Sequence, residues 1–158
     1  MSKETRQQVA LAVGAVEDKK GEDLVILEMD KNSGAFTDYF VVCTGTNPRQ
    51  IQAISDEVQL QLSRIGVRPN SVEGYNQAEW VLVDYVDFVV HIFSARAREF
   101  YDLERLWKSA AKLNPEELQK KRAPVKKAAA VKKPAAAPRA AKPRTKAARV
   151  KTAKKKSR

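Results

Sequence analysis

Apolar residues recur with helix or strand periods through the first 118 residues of the chain and lose that order afterwards. Val9, Leu11, Ala12, Val13 and Val16 lie at near-helical spacing and predict a first helix over residues 4–20. Thr5 or Ser2 is placed to cap its start, and Lys19-Lys20-Gly21 closes its end. The run DLVILEMD, Asp23 to Asp30, predicts a short strand, and KNSGAF a turn. A second strand follows in DYFVVCTG, residues 38–45. Tyr39 to Cys43 is nearly all apolar, so both faces of this strand are expected to be covered. Asn47 is a good N-cap with Pro48 at the first helical position. Ile51, Ile54, Val58, Leu60, Leu62 and Ile65 then supply the buried stripe of a helix over residues 48–65, stopped by Gly66.

A short strand at Ser71 to Glu73 and the turn GYNQAE come next. WVLVDYVDFVVHIFS predicts two strands joined by a tight turn at Asp84 to Asp87. Alternation places Trp80, Leu82 and Asp84 on one face and Val81, Val83 and Tyr85 on the other. AREFYDLERLWKSAAKL predicts a third helix with Phe100, Leu103, Leu106 and Trp107 on one side. A short fourth helix follows, with Asn114 as cap, Pro115 at its first position, and Glu116 and Glu117 near the positive end of its dipole. The order α-β-β-α-β-β-β-α predicts an α/β domain, a compact mixed β-sheet flanked by helices, over residues 1–118. That length suffices for a core of its own.

Charge divides the chain at the same place. Residues 120–158 hold 17 of its 30 Lys and Arg and no Asp or Glu, which leaves 13 basic residues against all 19 acidic ones before them. The front is acidic and the tail strongly basic. Residues 119–158 are rich in Lys, Arg, Ala and Pro, with no aromatic residue, and Pro124, Pro134, Pro138 and Pro143 interrupt every long run. Such a segment cannot bury enough surface to offset its chain entropy, so it is expected to be disordered in isolation. A basic arm of this kind usually meets phosphate, through counterion release that weakens with salt. Lys120, Lys121, Arg122, Lys126, Lys127, Lys132, Lys133, Arg139, Lys142 and Arg144 are the candidate nucleic-acid contacts. The alternative is a solubilising tail with no single partner.

One cysteine excludes an internal disulfide framework, and with one histidine no zinc cluster is expected. The first residues are polar and no apolar stretch approaches the roughly 20 residues of a membrane helix. These features fit a soluble cytoplasmic protein.

Two constellations invite a catalytic reading. Gly45 and Thr46, between a strand and a helix start, resemble a phosphate-binding turn with Arg49 beside it. Asp84 and Asp87 are neighbouring carboxylates of the kind that hold Mg²⁺. Together they suggest nucleotidyl transfer. The glycine-rich loop that wraps a triphosphate is missing, however, and aspartates three apart across a turn do not face one ligand. Cys43 with His91 as its base is a second pairing, but a cysteine inside an apolar strand behaves as a small hydrophobe. No catalytic residue, metal or cofactor is therefore expected. Phe88, Ile92 and Trp107 read as core, whereas Trp80, Asp84 and Tyr85, set among Asp38, Glu73, Glu79 and Asp87, read equally as core or as a surface for a basic protein partner.

DYFVVCTGTNPRQIQAISDEV, VEGYNQAEWVLVDYVDFVVHIF and REFYDLERLWKSA closely resemble the ribosomal silencing factor family, also called Iojap-related, over about residues 4–112. The resemblance implies a nucleotidyltransferase-like α/β fold without the enzyme's catalytic set, in which the Gly-Thr turn is scaffold. It also implies a non-enzymatic repressor. Such a protein binds the large ribosomal subunit through large-subunit ribosomal protein fourteen and keeps the small subunit from docking. The family-motif positions here are Asp38, Tyr39, Arg49, Gln50, Glu73, Gly74, Trp80, Leu82, Asp84, Tyr85, Asp87 and His91. Apart from Gly74 these are the candidate partner-binding residues.

Two features depart from the family pattern. The Asp-Tyr-x-Asp turn usually has glycine third, and here it is Val86, which would be strained if that position needs φ > 0. The basic tail is the other, and it is expected to lie on ribosomal RNA. A homodimer of the free protein is also expected to be possible. The alternatives from other classes are a nucleotidyltransferase-like enzyme and a nucleic-acid-binding protein driven by the tail alone.

Overall fold

A computed structural model describes residues 2–120, with side chains to Leu118. The tail cations read as nucleic-acid contacts lie outside the described side chains.

Helix α1, Lys3–Asp18, is capped by Ser2, whose Oγ accepts the Thr5 backbone N–H at 3.0 Å. Thr5 itself is buried one turn in. Strands β1, Glu22–Glu28, and β2, Tyr39–Gly45, lead to α2, Pro48–Ser63. Asn47 caps α2, its Oδ1 accepting from Gln50 N at 2.9 Å. The buried stripe of α2 is Ile51, Ile54, Val58 and Leu62. Leu60 and Ile65, expected in that stripe, are exposed. At 100° per residue Leu60 points away from Val58 and Leu62, and Ile65 lies past the helix end. Strands β3, Ser71–Glu73, β4, Trp80–Asp84, and β5, Phe88–Ser94, follow.

The expected third helix over residues 97–113 is not one helix. Its first part is α3, Ala95–Tyr101, capped by Ser94, and Asp102 at φ 42° ends it. A single turn, α4, Leu103–Leu106, comes next. Ala111–Leu113 is then a strand, β6, paired antiparallel with Ile26 to Glu28 of β1. Ala, Lys and Leu favour helix locally, but satisfying the free edge of β1 outweighs that preference. Helix α5, Pro115–Lys120, returns Leu118 to the core.

The six strands form one sheet in the order β3-β4-β5-β2-β1-β6. Only β2 and β5 are parallel, so the sheet is mixed, as the sequence predicts. Strand parity gives it two unlike faces. Tyr39, Val41, Cys43, Val81, Val83, Phe88, Val90 and Ile92 face α1 and α2 in the main core. Val42 and Phe93 face the other way, against Ala97 of α3, with Phe40, Trp80 and Leu103 packed around them. Arg98 anchors α3 on this second face. Its Nη1 donates to the Asp23 carbonyl at 2.6 Å and to Thr44 Oγ1 at 2.8 Å, and Nη2 donates to Glu104 Oε1 at 2.6 Å.

The β4–β5 turn puts Val86 at φ 71°, the left-handed region, with its side chain 59% exposed. Asp84 Oδ1 accepts the Val86 N–H at 2.7 Å and holds the turn closed. A β-branched residue there costs about 1–2 kcal/mol of strain, of which glycine's extra chain entropy offsets about half. Val86→Gly is therefore expected to stabilise the domain by about 1 kcal/mol. Urea unfolding with an unchanged m-value would measure it, and a fall in midpoint would contradict the strain.

Candidate functional site

The Gly-Thr turn has no vacancy for a phosphate. The Gln50 side chain fills it: Oε1 accepts from Thr46 N at 2.7 Å and from Thr46 Oγ1 at 2.8 Å. Nε2 of Gln50 donates to the carbonyls of Lys19 at 3.0 Å and Lys20 at 2.9 Å, so one carboxamide ties the end of α1 to the start of α2. Gly45 is small for packing: a Cβ there would stand 2.5 Å from Ile51 Cγ1. Arg49 is exposed beside this knot.

The other catalytic constellations also dissolve into structure. Asp84 flanks its turn as described, and the Asp87 carbonyl accepts the Asp38 N–H at 2.8 Å. Among the described residues no three His, Cys, Asp or Glu side chains gather as a metal site. Cys43 is fully buried, and burial, only partly opposed by the Arg98 charge, pushes its thiol up to about 12. Almost no thiolate exists there at neutral pH.

His91 is 4% exposed, and burial pushes its pKa down to about 4. Its Nδ1 accepts from the Trp80 indole N–H at 3.1 Å, which leaves the proton of the neutral ring on Nε2. That nitrogen is buried without a partner. The unfolded chain binds the proton near pH 6.5 and the folded chain only near pH 4. His91 therefore lowers stability progressively as pH falls through that window, and its effect is absent above it. Thermal melts from pH 7 to pH 5 are expected to show a decline that His91→Gln flattens; equal slopes would deny His91 the role.

Of these residues, Asp84, His91 and Trp80 share one face of the sheet. On the sheet face turned away from α1 and α2, a groove of ≈ 540 Å³ runs over Phe40, Leu82, Val89 and His91. Trp107, Val86 and the loop Gly34–Thr37 wall it, and Asp84 and Asn70 stand in its lining. Phe36 is fully exposed. Thr37 Oγ1 is a second buried polar atom without a partner. Trp80 lies at the other end of β4, its ring 5.1 Å from Phe93 and 4.6 Å from Tyr101. Gly74 helps fix it. At φ 75°, a Cβ on Gly74 would run into the Trp80 carbonyl oxygen. The loop after Gly74 is tied to α2 by Tyr75, whose hydroxyl donates to Asp56 at 2.9 Å and whose carbonyl accepts from Gln52 at 3.0 Å.

Of the expected partner residues, Trp80, Leu82, Asp84 and His91 thus share the face that carries the groove. Asp38 and Asp87 lie at its Asp84 end, and Glu73 is exposed on β3 opposite Leu82. Tyr39 and Tyr85 do not join them. Both are buried on the helix-covered side, Tyr85 stacked on Phe88 at 4.8 Å and the Tyr39 hydroxyl between Arg6 and Glu28. Their odd register with Leu82 and His91 turns them inward. Arg49 and Gln50 sit at the α2 start. Sequence reasoning missed Phe36, Thr37 and Asn70, which lie in loops, and took Trp107 for core.

No described helix is long and apolar enough to cross a membrane. The sequence model of the family described as "Ribosomal silencing factor during starvation" matches residues 2–152, past the stretch where its motifs are legible. A protein named "Ribosomal silencing factor RsfS" from Halalkalibacterium halodurans is 42% identical over 105 residues, covering 66% of this chain and 89% of that one. The mouse protein named "Mitochondrial assembly of ribosomal large subunit protein 1" is 26% identical over 102 residues, covering 63% of this chain and 44% of its own. A Chromobacterium violaceum crystal structure superposes with a TM-score of 0.63 at 36% identity, covering 68% of this chain and 88% of that one. With a family model matched over residues 2–152 and a relative 42% identical over 105 residues, the chain belongs to the ribosomal silencing factor family.

Proposed function

We propose that this protein is a non-enzymatic, cytoplasmic repressor of translation. It binds the large ribosomal subunit through large-subunit ribosomal protein fourteen and blocks docking of the small subunit by occupying the contact surface. The observation that carries the reading is the groove face: an apolar channel with an acidic lining residue, on a domain that is acidic over residues 1–119. Ribosomal proteins are mostly basic, so the charge of the domain favours the encounter while the apolar floor supplies the buried contact. The names of the relatives point to the ribosome, and that of the mouse relative to its large subunit.

The basic tail extends this reading. It lies on ribosomal RNA near the docking site and raises the local concentration of the domain, as a second weak contact does. Deleting residues 120–158 is then expected to flatten the salt dependence of binding; an unchanged slope would refute the anchor.

Sucrose gradients test the central claim. Large subunits are incubated with the protein and then challenged with small subunits. Fewer joined ribosomes, with the protein comigrating with the large subunit, is the expected result. Unchanged joining with full comigration would separate binding from silencing and refute the steric mechanism.

A further inference from the structure

The α3–α4 corner carries a second surface that the groove does not explain. Phe100 of α3 is 79% exposed and Leu106 of α4 is 73% exposed. Together with Tyr101, Asp102, Arg105 and Lys108 they line a cleft of ≈ 500 Å³. The Phe100 and Tyr101 rings meet at right angles, centroids 5.0 Å apart and planes at 89°, and do not stack on each other, so with Phe100 79% exposed its ring surface is open to a stacking partner. The cations differ from the others of this segment. Arg98 and Lys112 both reach Glu104, whereas Arg105 and Lys108 have no ion pair among the described residues. Arg96, exposed four residues before Phe100, adds a third cation on the same side of α3. Asp102 is the single acidic residue in the lining.

We infer that this corner binds an unpaired stretch of RNA, with a base stacked on Phe100 and its phosphates on Arg105, Lys108 and Arg96. Three considerations favour RNA over an acidic peptide. Exposed aromatic rings beside unpaired cations are the minimal platform for single-stranded nucleic acid. Stacking uses a flat free ring face, which an acidic side chain does not need. Over residues 95–108 four cations, Arg96, Arg98, Arg105 and Lys108, stand against three acids, Glu99, Asp102 and Glu104, on a domain that otherwise carries an excess of acid. The site is separate from the groove and does not depend on the identity of the ribosomal protein partner.

The test uses the full chain and an unpaired oligoadenylate. The tail contains no aromatic residue, so tryptophan emission reports on the folded part even while the tail holds RNA. Trp80 touches Tyr101, which couples its emission to the cleft. Oligoadenylate is expected to quench that emission, and ultraviolet crosslinking to mark peptides within residues 96–108. Phe100→Ala should raise the quenching midpoint about tenfold, while Phe100→Tyr keeps it. Because Phe100 is exposed, neither change should alter the melting temperature. Arg105→Glu with Lys108→Glu should abolish quenching and leave tail binding, read by anisotropy, in place. Binding with unchanged emission and crosslinks confined to the tail would overturn the inference. So would a Phe100→Ala curve that overlays the parent, or quenching by polyglutamate but not by oligoadenylate.

Discussion

Leu82→Arg is expected to abolish comigration with the large subunit while leaving the free domain folded. Leu82 points from the middle of β4 into the groove and is only partly buried, so an arginine there can lie along Val89 and Phe40 and keep its head in water. In the complex that freedom disappears. The guanidinium must be buried without a partner or face a basic surface, and a broken or unpaired charge at an interface costs about 2–5 kcal/mol. Binding should therefore weaken by at least about 30-fold. The control is Asp84→Asn, which keeps the oxygen that accepts from Val86 N and removes only the charge. It should slow association and reduce salt sensitivity with a smaller loss of affinity. If Leu82→Arg still pelleted with the large subunit at parental affinity, the groove face would not be the docking surface.

Gly74→Ala is expected to be the most damaging single methyl in the domain. The left-handed backbone alone costs about 1–2 kcal/mol for any residue with a Cβ. At Gly74 the added carbon also collides with the Trp80 carbonyl, a backbone atom at the start of β4 that cannot swing aside. The β3–β4 register, the Trp80–His91 hydrogen bond and the ring contact of Trp80 with Tyr101 must shift together. A loss of more than about 3 kcal/mol, or a fall in melting temperature beyond about 10 °C, is the expected outcome. Gly34→Ala is the matched comparison, since it has a similar φ of 72° and open space around it. Equal losses at both would mean that the backbone conformation, and not the Trp80 contact, sets the cost.

These two residues show how unevenly the sequence discloses the molecule. Caps and stripes are local, so Ser2, Asn47 and the apolar faces of α1 and α2 are legible from spacing alone. The face assignment of Trp80, Leu82 and Asp84 follows from alternation and holds in the burial of β4. Residues 111–113 are different: nothing in Ala-Lys-Leu announces a strand until β1 offers its edge from more than eighty residues away. The groove is assembled from four separate stretches: the parallel β2–β5 pairing sets Phe40 beside Val89, the Asn70 N–H donates to the Asp84 carbonyl, and Trp107 packs edge-on against Phe40. The Gln50 plug is likewise invisible as a motif, because its meaning lies in the two carbonyls that α1 delivers to it.

Both outermost strands of the sheet, β3 and β6, are three residues long. So short an edge offers too few unpaired backbone groups to template another strand, which is a common guard against edge-to-edge polymerisation. A protein with an apolar groove on one face of its sheet gains from that arrangement. Its contacts are steered to side chains on a face, which can discriminate among partners, and away from main-chain ladders, which join almost anything extended.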